Sequence, residues 1–216
     1  MKIGVFDSGI GGLSVARAIK KARPDIEVIF RHDMPEHFPY ATKTPDEIFT
    51  FVVPVLQSLI DDGCVVIVVA CNTVSTTLIG RLRQQFDIPL VAIEPMVKPA
   101  ASMTKQKIIA VCATPTTLAS PRYAELKELY AQGITVLEPD CEDWSRLIEQ
   151  NAMTEARLRQ EIEPALAAGA DIVVLGCTHY HWVEEAIRQI AEGRAYVLQP
   201  EEAIINRLTQ VLAQLA

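Results

Sequence analysis

Two cysteines, Cys71 and Cys177, occupy matching positions in two similar stretches of the chain. Each follows an apolar run typical of a buried strand, each is preceded by a small residue, Ala70 or Gly176, and each is followed by polar residues. A thiol has an unperturbed pKa of about 8.5, which nearby cations or a helix N-terminus lower toward neutrality. Inversion of a stereocentre through a planar carbanion needs a base on one face and an acid on the other. The two thiols together can meet that requirement.

A glycine-rich segment, DSGIGG at residues 7–12, joins a short apolar run to a helix that we expect to begin near Leu13. Its glycines allow backbone N–H groups to hold an anion at that helix N-terminus. A dinucleotide-binding fingerprint is disfavoured, because Ser14 stands where the third glycine is needed and Asp7 would lie beside the pyrophosphate. Asp7 is better placed to meet an ammonium group or to hold a catalytic thiol. The alternative is an ordinary turn residue at the end of a strand.

His179 lies two residues after Cys177 and is a candidate to tune that thiol or to assist its proton transfer. Isolated histidines are more often structural or exposed, so the neighbouring cysteine is what singles this one out. The histidines His32, His37, His179 and His181 show no C-x-x-C or H-E-x-x-H ligand spacing, and no metal site is predicted. We expect the other three cysteines to be small buried hydrophobes: Cys64, Cys112 and Cys141.

Short β-branched runs alternate with longer helical stretches, a pattern that predicts an α/β fold with parallel sheets. Gly63, Pro89, Gly133 and Gly169 stand before four of the runs, as expected where a helix ends and the chain turns into a strand. The predicted strands are residues 3–6, 28–30, 65–69, 90–93, 108–111, 135–137, 172–175 and 196–198.

The chain contains signs of a duplicated half. Residues 3–8 resemble residues 109–114 in pattern, residues 66–72 resemble 172–178, and both pairs are 106 positions apart. Chance similarity between buried strands is the alternative, and the shared offset argues against it. We therefore expect two pseudo-symmetric domains, residues 1–95 with 201–216 and residues 96–200. Ligands of such sheets bind at the carboxyl ends of strands, so Cys71 and Cys177 are expected to face each other across one cleft.

Composition narrows the class of partner. The 216 residues are 50% hydrophobic with a formal net charge of −7, so the chain can bury a core and offers no basic surface for nucleic acid or an anionic membrane. The longest apolar run, 64–71, is too short to span a bilayer, and Asp7 interrupts the first apolar run before it could act as a signal peptide. Five cysteines without a C-x-x-C pair favour reduced thiols and a cytoplasmic protein that acts on a small molecule.

Five ordered blocks between Lys2 and about Glu202 resemble the glutamate racemases of the aspartate/glutamate racemase superfamily. They are DSGIGGL at 7–13, FPY at 38–40, ACNT at 70–73, AT at 113–114 with Thr117, Ser120 and Tyr123, and GCTHY at 176–180. The resemblance implies two catalytic thiols, Cys71 and Cys177, assisted by Asp7 and His179 respectively. It implies no cofactor, a small acidic amino-acid substrate and a homodimer. The residues that it implies for substrate binding are Asp7, Ser8, Pro39, Tyr40, Ala41, Asn72, Thr73, Thr114, Thr117, Thr178 and His179.

Glu149, eight residues after Cys141, matches a glutamate of that family expected to orient the histidine. A carboxylate behind a histidine raises its basicity and fixes its tautomer. The alternative for Glu149 is a solvated charge on a helix.

The chain departs from the family at three places. Ala41 stands where the family has glycine, and its methyl group interferes if that position needs a positive φ or a close backbone approach. Gln199 stands where an acidic residue is usual. Asp33 is one residue further from Pro39 than expected, so no role is assigned to Asp33.

The leading functional hypothesis is cofactor-independent interconversion of L- and D-glutamate, which supplies D-glutamate for peptidoglycan. One alternative is a racemase of another acidic amino acid, such as aspartate. The other is a racemase-like binding protein with little turnover, which the changes at Ala41 and Gln199 favour slightly and the retained thiols disfavour.

Overall fold

The computed structural model describes residues 1–215, except for the side chain of Ala41. The chain divides into two compact units, one formed by Met1–Ile93 with the C-terminal segment that starts at Pro200, the other by Glu94–Gln199. Each unit contains a four-stranded parallel sheet with helices around it. The predicted α/β class with two parallel sheets is confirmed.

In the first unit the strands are β1 (Lys2–Asp7), β2 (Glu27–His32), β3 (Cys64–Val69) and β4 (Leu90–Ala92), in the order β2-β1-β3-β4. Its helices are α1 (Leu13–Ala22), α2 (Pro45–Asp61), α3 (Asn72–Gln85) and α10 (Glu201–Leu215). Short 3-10 turns cover Ile10–Gly12, Pro35–His37 and Tyr40–Thr42.

The first sheet is buried on both faces because alternate residues of a strand point to opposite sides. One face, which includes Ile3 and Val68, packs against α1 and α10, with Leu208 among the residues that cover it. The other face, which includes Ile67, packs against α2 and α3 through residues such as Leu56. Two-sided burial explains why the central strands are nearly continuous apolar runs.

In the second unit the strands are β5 (Ile108–Cys112), β6 (Thr135–Leu137), β7 (Ile172–Leu175) and β8 (Tyr196–Leu198), in the order β6-β5-β7-β8. A 3-10 turn covers Thr178–Val183. The helices are α4 (Val97–Met103), α5 (Pro115–Leu118), α6 (Pro121–Tyr130), α7 (Trp144–Glu149), α8 (Glu155–Ala167) and α9 (Glu184–Ala191).

The second sheet repeats the arrangement of the first. Val111 and Val174 face a core completed by α4 and α6, whereas Cys112 and Leu175 face a core completed by α7, α8 and α9. β1 and β5 hold the same place in the strand order, and so do β3 and β7. These are the pairs of strands that the sequence offset connects. Cys64, Cys112 and Cys141 are buried in the cores, as predicted.

No helix in the described part of the chain is long and apolar enough to cross a membrane.

Candidate active site

The first group of predicted residues gathers where β1 and β3 end. The two strands are neighbours in register, and the chain leaves both in the same direction, so Asp7–Ser8 and Cys71 follow adjacent strand ends. Cys71 is 5% exposed and Ser8 is 7% exposed, and the Cys71 Sγ donates to the Ser8 Oγ at 3.4 Å. Cys71 is also the N-cap residue of α3. Because the N-terminus of a helix favours negative charge, this position favours the thiolate form of a cysteine.

Asp7 is fully buried and is held by the loop that follows it. Its Oδ2 accepts the Gly12 backbone N–H at 2.5 Å. A Cβ at Gly12 would lie 2.6 Å from the Asp7 Cβ, so a side chain at this position would push the carboxylate away. The sequence indicated that backbone N–H groups of these glycines can hold an anion. The Gly12 N–H binds an anion of the protein itself, the carboxylate of Asp7.

The first turn of α3 supplies two further predicted residues, Asn72 and Thr73, both buried. The amide nitrogen and the amide oxygen of Asn72 have no hydrogen-bond partner within the described residues. Burying an amide without partners costs about 1–3 kcal/mol, and a bound polar ligand would recover that energy. Ser75 ties this turn of α3 to the ends of two strands, because its hydroxyl donates to the Val69 carbonyl at 3.1 Å and accepts the Ile93 N–H at 3.2 Å.

The segment Pro39–Tyr40 reaches the same region. Tyr40 is 3% exposed and belongs to the buried cluster that contains Cys71. Its hydroxyl donates to the Asp33 Oδ2 at 2.6 Å. Burial, followed by the hydrogen bond to Asp33, raises the pKa of Tyr40 well above its usual value, so the phenol stays protonated. The predicted contribution of Ala41 concerns a side chain outside the described part of the molecule.

Asp33 is the buried residue that sequence reasoning left without a role. The carboxylate is 3% exposed and contacts Tyr40, His37 and the Met34 backbone N–H. The available signal was an acidic residue close to its position in the resembling family. One extra residue before Pro39 hid that signal.

The second group of predicted residues lies at the ends of β5 and β7, in the second unit. Cys177 is 8% exposed and follows β7 after Gly176. The Gly176 N–H donates to the Cys112 carbonyl at 2.7 Å. A Cβ at Gly176 would lie 3.0 Å from both that carbonyl oxygen and the Ala113 Cβ. Close packing of two chain segments therefore requires glycine immediately before this cysteine.

A histidine and a carboxylate stand behind Cys177. His179 is 1% exposed, and its Nδ1 lies 3.8 Å from the Cys177 Sγ. Its Nε2 makes a short contact with the carboxylate of Glu149, the last residue of α7. The Glu149 side chain is 26% exposed, so its contact with the buried ring is partly shielded from water. The line from Glu149 through His179 to Cys177 is the arrangement in which a carboxylate sets the tautomer of a histidine.

The predicted threonines of the second unit are buried at helix starts. Thr114 caps α5: its hydroxyl accepts the Thr117 N–H at 3.3 Å and donates to the Thr117 Oγ1 at 2.9 Å. Thr178 begins the turn that carries His179 and is 2% exposed. The turns therefore place these hydroxyls at the strand ends of this sheet.

His181 lies two residues further along this turn and is 9% exposed. Burial, followed by the nearby charge of His179, lowers the pKa of His181 to about 4. His181 is therefore neutral at neutral pH.

Over the described residues, no group of three or more His, Cys, Asp or Glu side chains is placed to hold a metal ion.

Comparison with known proteins identifies the family. The sequence profile of the Asp/Glu/Hydantoin racemase family matches residues 13–208, and the chain belongs to this family. Glutamate racemases from Roseiflexus sp. and Ralstonia pickettii are each 37% identical to it, over 98% of this chain and over 79% and 76% of their own lengths.

A solved structure gives the same result. The crystal structure of Escherichia coli glutamate racemase, in complex with L-glutamate and the activator UDP-MurNAc-Ala, matches with a TM-score of 0.90 and 32% identity. That match covers 98% of this chain and 82% of the other.

Proposed function

We propose that this racemase interconverts L- and D-glutamate without a cofactor, with Cys71 and Cys177 as its two acid/base groups. The observation that carries the proposal is the equivalent placement of two buried thiols, each at the end of the corresponding strand of a parallel sheet. The choice of glutamate rests on relatives that are named glutamate racemases and cover most of this chain. In this proposal the two compact units are the two domains of the enzyme.

The proposed reaction consists of two proton transfers at the α-carbon. The thiolate of one cysteine takes the α-proton, which breaks the C–H bond, forms an S–H bond and leaves a planar carbanion. The thiol of the other cysteine then donates its proton to the opposite face, which inverts the stereocentre and leaves a thiolate. The reverse direction exchanges the two roles, so each thiol acts once as a base and once as an acid.

The neighbours of each thiol support these transfers in different ways. On the Cys71 side, the helix N-terminus favours the thiolate, the protonated thiol donates to the hydroxyl of Ser8, and Gly12 holds the carboxylate of Asp7. On the Cys177 side, His179 is positioned to exchange a proton with the thiol, and Glu149 raises the basicity of its ring. Asp7 and His179 are thus the proposed assistants of Cys71 and Cys177.

Apart from Asp7, the substrate is held by neutral groups in this proposal. The Asn72 amide, with neither atom hydrogen-bonded among the described residues, is the best-supported contact with a carboxylate or the ammonium group. The other proposed contacts come from Ser8, Pro39, Tyr40, Ala41, Thr73, Thr114, Thr117 and Thr178. Asp7 is the proposed partner of the ammonium group.

We further propose that the protein is a homodimer. We also propose a cytoplasmic location, where the thiols stay reduced and the D-glutamate enters peptidoglycan synthesis.

The proposal is tested by following the proton. Purified protein is incubated in D₂O with L-glutamate or D-glutamate, the enantiomers are separated by chiral chromatography, and early time points are analysed by mass spectrometry. Because thiol protons exchange readily with solvent, two opposed thiols load deuterium into the product while the remaining substrate keeps its protium. Equal early labelling of substrate and product in both directions would refute the two-thiol mechanism.

Parallel incubations with L- and D-aspartate test the choice of substrate. Faster turnover of aspartate than of glutamate would identify the alternative racemase. Binding of glutamate without turnover, measured by calorimetry, would identify a binding protein instead.

A further inference from the structure

We infer that Asp33 and His37 are positioning residues, which hold Tyr40 in the place where it contributes to substrate binding. This inference rests on the proposed function and concerns the affinity for the substrate. The observation behind it is a chain of contacts that runs from a partly exposed ring, His37, through a buried carboxylate, Asp33, to the hydroxyl of Tyr40.

The position of Asp33 is set by the sheet. It directly follows β2, an edge strand, and its backbone N–H donates to the carbonyl of Asp7 at 3.2 Å. Asp7 and Asp33 are the buried carboxylates of the described part of the first unit. Both therefore stand at the carboxyl edge of the same sheet, the edge that also carries Cys71.

A buried carboxylate is costly unless hydrogen bonds compensate for lost water. Asp33 meets this condition with three partners. Its Oδ1 accepts the Met34 N–H at 2.8 Å, its Oδ2 accepts the Tyr40 hydroxyl at 2.6 Å, and the His37 Nδ1 lies 2.9 Å from both oxygens. Two of the partners lie on the segment that leads into Pro39, so the carboxylate ties this segment to the end of β2.

His37 is itself held in place. Its ring stacks on Phe51 of α2 with a centroid distance of 3.7 Å and an interplanar angle of 10°. Its side chain is 26% exposed and lines a groove of about 530 Å³ together with Asp33 and Phe51. A ring fixed by stacking can aim its Nδ1 at a carboxylate without losing much entropy on binding it, and that is what an orienting group requires.

The hydrogen bond also decides what Tyr40 can do. A phenol has one proton, and that proton is donated to Asp33, so the oxygen of Tyr40 has only lone pairs left to offer. Tyr40 therefore contributes an acceptor and a fixed aromatic face, and no free donor. In the proposed function Tyr40 binds the substrate and takes no part in the proton transfers. Loss of its hydrogen bond to Asp33 is therefore expected to weaken substrate affinity and to leave the proton transfers at the thiols intact.

The test is steady-state kinetics with L-glutamate on four variants: Asp33→Asn, His37→Gln, Tyr40→Phe and the double variant Asp33→Asn with Tyr40→Phe. A hydrogen bond to a charged group corresponds to about a tenfold change in affinity, so we expect KM to rise about tenfold for Asp33→Asn and about threefold for His37→Gln. kcat is expected to stay within about twofold. In the Tyr40→Phe background, Asp33→Asn is expected to add little, because the group through which it acts is already absent.

His32→Gln is the matched control. His32 is exposed, lines the same groove, and contacts Asp33 only through the backbone carbonyl, at 2.7 Å from its Nδ1. Its kinetics should match those of the unmodified protein. Urea unfolding of every variant shows whether a change in kinetics comes from a loss of fold. If Asp33→Asn does not fold, His37→Gln still tests the inference, because His37 is partly exposed.

Unchanged KM for both His37→Gln and Asp33→Asn would overturn the inference, as would equal effects of Asp33→Asn with and without the Tyr40 hydroxyl. A fall in kcat at constant KM would also overturn it, because that result would place Asp33 in the chemical step. Absence of any glutamate turnover in the unmodified protein would instead refute the proposed function.

Discussion

At the residue scale, the two thiols are alike in position and different in surroundings. Cys71 has a hydroxyl as its neighbour and caps a helix, whereas Cys177 has an imidazole backed by a carboxylate. The N-terminus of α3 favours a thiolate at Cys71, whereas Cys177 has a histidine close enough to exchange a proton with it. In the proposed mechanism both thiols act in each direction, and different residues support the proton transfers on the two sides of the α-carbon.

Replacing either cysteine should remove a general acid/base group. We expect Cys71→Ala and Cys177→Ala each to lower turnover by about 10²–10⁴-fold or more, and Asp7→Asn and His179→Asn to lower it less. The measurement is racemisation of both enantiomers, followed by circular dichroism. Cys64→Ala is the control, because Cys64 is a buried thiol at the opposite end of β3 from Cys71. Near-normal rates in both cysteine variants would show that other groups carry the protons.

Sequence reasoning named most of these side chains, and the family resemblance paired Glu149 with His179, but other partners could not be predicted. Strand ends are readable from apolar runs, and parallel strands bring their carboxyl ends together, so Cys71 and Asp7 could be grouped in advance. The contact from Tyr40 to Asp33 depends on how a 3-10 turn folds back over seven residues, which no periodicity reports. The commitment of the Gly12 N–H to Asp7 is equally a matter of three-dimensional packing.

At the element scale, the strands with two buried faces were the most predictable. β3 and β7 appear in the sequence as continuous apolar runs and differ from prediction by one residue at most. β2 is longer than predicted, Glu27–His32 in place of 28–30, because it is a half-exposed edge strand with polar residues at its ends. Patterns of hydrophobicity report burial, and so they lose the ends of edge strands.

Two glycines provide a contrast that tests the strand-end packing. Gly176→Ala would place a methyl group 3.0 Å from the Cys112 carbonyl oxygen. We therefore expect the free energy of unfolding to fall by about 1–3 kcal/mol, and turnover to fall because Cys177 is displaced. Gly80→Ala lies inside α3, where the added Cβ would have no atom within 4 Å apart from the neighbouring residues and the backbone of its own helix, and should stabilise the protein by about 0.5–1 kcal/mol.

Urea unfolding and racemisation rates measure both effects. Equal stability changes for the two substitutions would contradict the packing argument at Gly176. Gly80→Ala should also leave the racemisation rate unchanged, because the residue is exposed.

At the scale of the whole molecule, the buried imidazole of His181 links stability to pH. Its pKa is about 4 in the folded protein and near 6.5 in an unfolded chain, so between these values the unfolded state binds a proton that the folded state does not. The contribution of His181 to the free energy of unfolding is therefore fully present above about pH 6.5 and falls as the pH is lowered toward 4. From pH 7 to pH 5 the loss from this group amounts to about 2 kcal/mol.

The free energy of unfolding, measured by urea titration at several pH values, tests this linkage. His181→Gln should lose about 2 kcal/mol less than the unmodified protein over the same interval, whatever the other groups contribute. Parallel pH profiles of the two proteins would show that His181 does not carry the effect.

The repeated sheet order also belongs to this scale. The 106-residue offset pointed to a repeated half, and both sheets have the same order with equivalent central strands. The helices around them are less regular, since the second unit carries three short ones, α4, α5 and α7. Duplication is therefore easier to recognise in buried strands than in the helices that cover them.

The packing of α10 in the first unit has a consequence for synthesis on the ribosome. The apolar face of the first sheet that includes Ile3 and Val91 is covered in part by Ile204, Leu208 and Leu212, which come from the far end of the chain. The second unit, in contrast, is continuous in sequence. A nascent chain therefore carries part of an uncovered apolar sheet throughout the translation of residues 94–199, while the later-made unit can complete its own core first. The unit whose translation starts first is thus the one whose core is completed last.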